Sequence, residues 1–257
     1  MERAGQDSRK ILIFETAEEV ARAAALRFIE LARAAVEAAG RFSVALAGGS
    51  TPKRTYQLLA SDEFKSQVDW SKVHFFFGDE RCVPPDHADS NYRMADEALL
   101  SRVAVPARNV HRIRGEGDAV ANARLYEDEL QTFFAGEAWP RFNLVLLGMG
   151  DDGHTASLFP GTPALDEQSA WALAVWVEKF KTYRITLSAR AINMAAHVIF
   201  LVTGAGKSER LSEVISGRAP DASSLPAQLI QPEDGTLEWL LDRAAAARLS
   251  EPPSVEK

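Results

Sequence analysis

The chain has almost no cysteine, no long apolar run and no excess of basic residues, and each shortage closes off a class of protein. Cys82 is the only cysteine among 257 residues, so no internal disulfide can form, and a reducing compartment such as the cytoplasm is expected. By itself it reads as a small, semi-buried apolar residue. No stretch approaches the ~20 apolar residues of a membrane-spanning helix, and Met1 to Lys10 is too polar for a secretory signal. The formal net charge of −7 argues against a nucleic-acid surface and leaves local charge to decide whether an anion binds. His87 lies beside Asp86 and Asp89, but no second histidine or cysteine stands at ligand spacing. Neither a metal nor any other cofactor is expected. Repeats, low-complexity tracts and long linkers are missing as well.

What is present is an alternation of short apolar runs with amphipathic stretches. Strands are expected at Ile11–Phe14, Ser43–Ala47, Val73–Phe77, Phe142–Leu147, Trp171–Val177, Arg184–Ser188 and His197–Thr203, with a short one at Val110–Ile113. Thr16 with Glu19 forms a capping-box pattern. Val20, Ala24, Phe28, Leu31 and Ala35 follow at helical spacing, and Gly40 ends that helix. Other helices are expected from Asn91 to Leu100, from Ala189 to Ala195 and from Glu209 to Ile215. Another is capped by Asp118 and runs to Phe134, with Val120, Leu125, Leu130, Phe133 and Phe134 as core contacts. A closing helix is capped by Thr236 and continues through Leu240 to Leu249. The alternation predicts an α/β fold with a mostly parallel sheet and helices on both faces. Residues 10–250 form one domain in this reading, with room for a small appended element. Residues 1–9 and 250–257 read as disordered tails.

The richest chemistry lies in Gly148-Met149-Gly150-Asp151-Asp152-Gly153-His154, directly after an apolar run. Three glycines permit a sharp turn and close backbone approach to a ligand, at the carboxyl end of a strand, where open α/β sheets build their sites. His154 is suited to act as a general base near neutrality if a partner sets its tautomer, and Asp152 is the nearest candidate. A second glycine turn, Gly48-Gly49-Ser50-Thr51-Pro52, sits at a predicted helix N-terminus. Free N–H groups and the helix dipole attract phosphate there, and two hydroxyls add donors. Arg81 and Lys207 supply cations at two other strand ends. Three familiar motifs fail. A dinucleotide fingerprint at Gly148, Gly150 and Gly153 would place Asp151 and Asp152 against the pyrophosphate. Gly206-Lys207-Ser208 lacks the first P-loop glycine, since that position holds Leu201. The last position of a serine-hydrolase elbow around Ser50 is Pro52 rather than glycine. What remains fits base-activated water attack on a substrate with a phosphate handle and a reactive carbonyl.

Ala47-Gly48-Gly49-Ser50-Thr51-Pro52, Gly78-Asp79-Glu80-Arg81, Ser90-Asn91-Tyr92 and the run from Gly148 through His154 to Pro160 together resemble the 6-phosphogluconolactonases. Arg184-Ile185-Thr186-Leu187, the turn from Thr203 to Lys207 and Leu225-Pro226-Ala227 extend the similarity over roughly residues 10 to 250. The resemblance implies a Rossmann-like (NagB/RpiA-like) fold and hydrolysis of the δ-lactone of 6-phosphogluconate. His154 is then the base, and Gly48, Gly49, Ser50, Arg81 and Lys207 hold the phosphate; the residues themselves add Asp152 as the orienter of His154 and Thr51 as a further phosphate donor. Asp79, Asn91, Gly150, Gly153 and Arg184 add substrate contacts. The expected partner is a small sugar-phosphate lactone, without nucleic acid or membrane, and the expected assembly is a monomer or weak homodimer. A hexosamine-phosphate deaminase is the near rival. That family carries an acidic residue shortly after the histidine, where this chain has Ser157-Leu158-Phe159-Pro160. A non-catalytic sugar-phosphate sensor on the same fold is the third reading.

Overall fold

The structure, a computed structural model, describes residues 9–217 and 224–249. The tails expected at 1–8 and 250–257 lie outside the described residues, whereas Arg9 opens the first strand. In chain order the elements are β1 (Arg9–Phe14), α1 (Ala17–Ala39), β2 (Phe42–Leu46), α2 (Ser50–Leu59), β3 (Val73–Phe77) and β4 (Asp79–Arg81). There follow α3 (Asn91–Ala98), α4 (Ala119–Phe133), β5 (Leu144–Leu147), β6 (Ala172–Val177) and β7 (Thr182–Leu187). The last are α5 (Ala189–Asn193), β8 (His197–Val202), α6 (Ser208–Ser216) and β9 (Thr236–Asp242). Among the described residues, no helix is long and apolar enough to cross a membrane.

Six strands form one sheet in the order β1-β9-β8-β5-β2-β3, and every pairing is parallel. The order explains where a ligand belongs. From β2 the chain moves outward to β3, whereas β5 returns to the other side of β2 and leads on toward β8. The loops leaving β2 and β5 therefore diverge at their carboxyl ends and open a crevice between adjacent strands. Those loops are the two glycine turns. β2 and β5 are wholly buried, which is why they read as continuous apolar runs without alternation.

Three sequence expectations are corrected by tertiary packing. The closing helix from Thr236 is strand β9, set between β8 and β1. Leu237, Leu240 and Leu241 mimic helical spacing, yet Glu238 and Asp242 are buried too and are paid for by partners. Arg27 donates twice to Glu238, at 3.0 and 2.8 Å. Asp242 accepts from the N–H of Gly204 at 3.0 Å and of Ala245 at 2.7 Å. The strand at Val110–Ile113 shrinks to one bridge, Val110 to Phe75, because only the His111 N–H reaches the Phe75 carbonyl. In α4, Val120 and Leu125 face outward, about half exposed, and Ala119, Ala123, Tyr126 and Leu130 make the inner face. The small side chains let α4 pack closely. The Tyr126 hydroxyl accepts from the Phe77 N–H and donates to the Phe77 carbonyl, both at 2.9 Å.

Strict strand–helix alternation also breaks once. β4, β7 and β6 form a separate antiparallel sheet in the order β4-β7-β6. β4 continues from β3 across Gly78, so this second sheet is carried to the carboxyl end of the first. It brings the β6–β7 hairpin over the crevice.

Candidate active site

The crevice is a cleft of about 320 Å³ whose wall includes both glycine turns. Of the sequence-predicted residues, Gly48, Gly49, Ser50, Thr51, Asp79, Arg81, Asn91, Gly150, His154, Arg184 and Lys207 line it. Two do not. Asp152 stands behind His154, and Gly153 is turned away, its carbonyl accepting the Ala227 N–H at 3.0 Å. Gly153 has φ +79°, and a Cβ there would meet Leu225 at 2.6 Å, so its role is to close the turn against that segment.

The loop after β5 folds back on itself. The Gly150 N–H donates to the His154 carbonyl at 2.8 Å, and the Thr155 hydroxyl to the Gly148 carbonyl at 2.8 Å. This closure lays the imidazole across Gly150, where a Cβ would come within 2.0 Å of His154 Nδ1. His154 Nδ1 is 2.5 Å from Asp152 Oδ1, and the ring stacks on Phe159 at 4.2 Å. The hydrogen bond from His154 holds the Asp152 carboxyl well below the usual carboxylate range. An ionised Asp152 accepts, so Nδ1 is the ring nitrogen that donates to it. The second carboxylate oxygen of Asp152 is 3.1 Å from Lys179 Nζ.

The cleft also has a cationic part. Arg81 on β4 and Arg184 on β7 are paired directly across the antiparallel ladder, so both side chains leave the same face. Like charges opposed in this way destabilise a sheet. Arg184 Nε and Nη1 are moreover buried without a hydrogen bond among the described residues. Burial, and then the charge of Arg81, push the Arg184 guanidinium below its ordinary value. An incoming anion relieves both costs. Arg81 Nη1 is steadied by the Asp89 carbonyl at 2.6 Å, and Lys207 is paired with Asp151 at the rim. Gly49 precedes the first turn of α2 with φ +107°, and the Ser50 and Thr51 N–H groups open that helix. Thr51 Oγ1 is 2.7 Å from Thr203 Oγ1, which ties the start of α2 to the turn after β8 that carries Lys207.

Glu80, which the sequence did not single out as a site residue, lies behind this wall. Glu80 is 2% exposed and accepts from the N–H groups of Asn91 and Tyr92, at 2.7 and 2.8 Å, and from Ser90 Oγ at 3.0 Å. Burial pushes its carboxyl up, and those donors oppose the shift. Glu80 thereby fixes β4 to the start of α3. A period of two in Asp79-Glu80-Arg81 was the available clue, since it turns Asp79 and Arg81 together and Glu80 away. Asp79 accepts from Ser157 Oγ at 2.6 Å and from Asn91 Nδ2 at 3.2 Å. The Asn91 amide fills the space a Cβ at Gly48 would take, only 2.0 Å away. Phe180, on the β6–β7 hairpin, completes the wall beside Phe159 and Arg184.

Comparison with known proteins gives the family and the fold. Residues 15–239 match the family model described as glucosamine-6-phosphate isomerases/6-phosphogluconolactonase. The chain is 46% identical over 219 residues to a 6-phosphogluconolactonase of Nostoc, covering 84% of this chain and 88% of that protein. It is 37% identical over 206 residues to that of Haemophilus influenzae, covering 80% and 87%. The solved 6-phosphogluconolactonase of Trypanosoma brucei superposes with a TM-score of 0.83 at 33% identity, over 94% of this chain and 99% of that one. A monomeric glucosamine-6-phosphate deaminase superposes at 0.77 over 93% of this chain and 99% of that one. At 19% identity it shares the fold alone.

Proposed function

The chain belongs to the glucosamine-6-phosphate isomerase/6-phosphogluconolactonase family, and from that premise we propose that its cleft hydrolyses 6-phospho-D-glucono-1,5-lactone to 6-phosphogluconate in the oxidative pentose phosphate pathway. The observation that carries this reading is one cleft that brings His154, backed by Asp152, together with Arg184, whose Nε and Nη1 are buried without hydrogen bonds among the described residues. His154 Nε2 takes a proton from water as the water oxygen attacks the lactone carbonyl carbon. The tetrahedral intermediate collapses, the ring C–O bond breaks, and the imidazolium returns the proton to the leaving ring oxygen. Asp152 keeps the ring in the working tautomer and stabilises the transient imidazolium. The phosphate rests against the N-terminus of α2, with Gly48, Gly49, Ser50 and Thr51 closing on its oxygens and Arg81, Arg184 and Lys207 balancing its charge. Binding energy at the phosphate then positions the carbonyl. We place the enzyme in the cytoplasm, as a monomer or weak homodimer, with the sugar phosphate as its partner. Its one cysteine suits a reducing compartment.

The test is acid release from freshly prepared lactone, with spontaneous hydrolysis subtracted, in metal-chelating buffer. Acceleration is expected. Ammonia release from glucosamine 6-phosphate without lactone hydrolysis would instead make the chain a deaminase. Absence of both activities with retained sugar-phosphate binding would make it a sensor.

A further inference from the structure

The turn joining β6 to β7 carries charges and aromatics that the steps above do not use. Trp176, Phe180 and Tyr183 are each more than two-fifths exposed. Trp176 and Tyr183 meet edge to face at 5.2 Å across the hairpin. Trp176 Nε1 donates to Glu178 at 2.8 Å, Lys181 pairs with Glu178, and Lys181 adopts φ +51° to close the turn. The braced turn presents one side chain to each half of the dyad. Lys179 Nζ reaches Asp152 Oδ2 at 3.1 Å, while Phe180 packs against Phe159, the ring on which His154 stacks.

Resting on the lactonase reading, we propose that Lys179 is a positioning residue for hydrolysis: it holds Asp152 by the oxygen that His154 does not use, and so aims His154 Nε2 at the water. Lys179 does not line the cleft, so it acts through Asp152 and not on substrate. The other charged groups near the dyad are already engaged or lie on its far side. Asp151 pairs with Lys207, Glu178 is held within the hairpin, and Glu167 is satisfied by the Ser169 and Ala170 N–H groups. A half-exposed ion pair is worth at most about a fivefold factor and is screened by salt. Lys179→Met should therefore lower kcat roughly three- to fivefold, leave KM and the unfolding temperature unchanged, and shift the downfield proton signal of His154 Nδ1. Lys179→Arg should restore most of the loss. Unchanged kcat in Lys179→Met would overturn the proposal. So would a loss that appears in KM or stability, or one that arginine does not rescue. If the wild-type chain shows no lactonase activity, the functional reading fails. The Nδ1 proton signal then decides the positioning role alone: an unchanged signal in Lys179→Met refutes it.

Discussion

Arg184 shows how a residue can cost the fold and serve the site. Its guanidinium is partly buried, lies opposite Arg81 on the ladder and leaves two nitrogens without acceptors among the described residues. A charged hydrogen bond to phosphate is worth about 1.5–3 kcal/mol, which corresponds to roughly 10- to 100-fold in binding. Arg184→Met should raise KM for the lactone by about that factor, with kcat less affected and thermal stability equal or higher. Parallel steady-state kinetics and calorimetry check both halves, and a destabilised variant with normal KM would assign Arg184 to the fold. The dyad was legible in the sequence because Asp152 and His154 share one glycine-rich loop, and Gly150 is small for a reason the motif already hinted at. Arg184 and Lys179 were harder to read. Their approach depends on where a hairpin thirty residues downstream comes to rest, and no local spacing encodes that.

At the scale of elements, apolar pattern located β2, β3, β5 and β8, since buried parallel strands read as uninterrupted apolar runs. β9 escaped because its seven residues contain two carboxylates whose partners, Arg27 and the N–H groups of Gly204 and Ala245, lie far away or beyond the strand. Its position between β8 and β1 makes a strong claim about energetics. Leu240, 2% exposed, should cost about 2–5 kcal/mol on truncation to alanine. Val120→Ala on the outer face of α4 should cost within about 0.5 kcal/mol. Urea midpoints for the two variants check this, and comparable losses would mean that the inner and outer faces are misassigned. Asp242 also links this element to function, because it anchors Gly204 at the head of the turn that presents Lys207.

For the whole molecule, the order of the strands places the site, and a second ionisable cluster lies on the edge strand β3. His74 on β3 lies 3.2 Å from His111, which in turn reaches Glu129 at 2.7 Å. Burial, and then His111, Arg41 and Arg108, lower the His74 pKa to about 4 from an ordinary 6.5. Between those values the unfolded chain takes up a proton that the folded chain refuses. This contribution to stability is therefore complete above pH 6.5 and is lost as the pH falls toward 4. Urea midpoints at pH 7.5 and 5 should show the decline, and His74→Gln should flatten it. A slope unchanged in the variant would place the proton uptake elsewhere. The site and this cluster occupy different parts of the fold, so the stability slope and the pH dependence of turnover are separable.

The central claim is that His154 supplies the base while other residues hold the phosphate. Its most direct test is His154→Ala, with lactone turnover and 6-phosphogluconate affinity measured on the same preparation. Turnover should fall by at least about 100-fold, the range for loss of a general base, while product affinity stays within about twofold because neither the α2 turn nor the arginine pair is disturbed. Near-normal turnover in the variant, or a loss of affinity that matches the loss of rate, would contradict it.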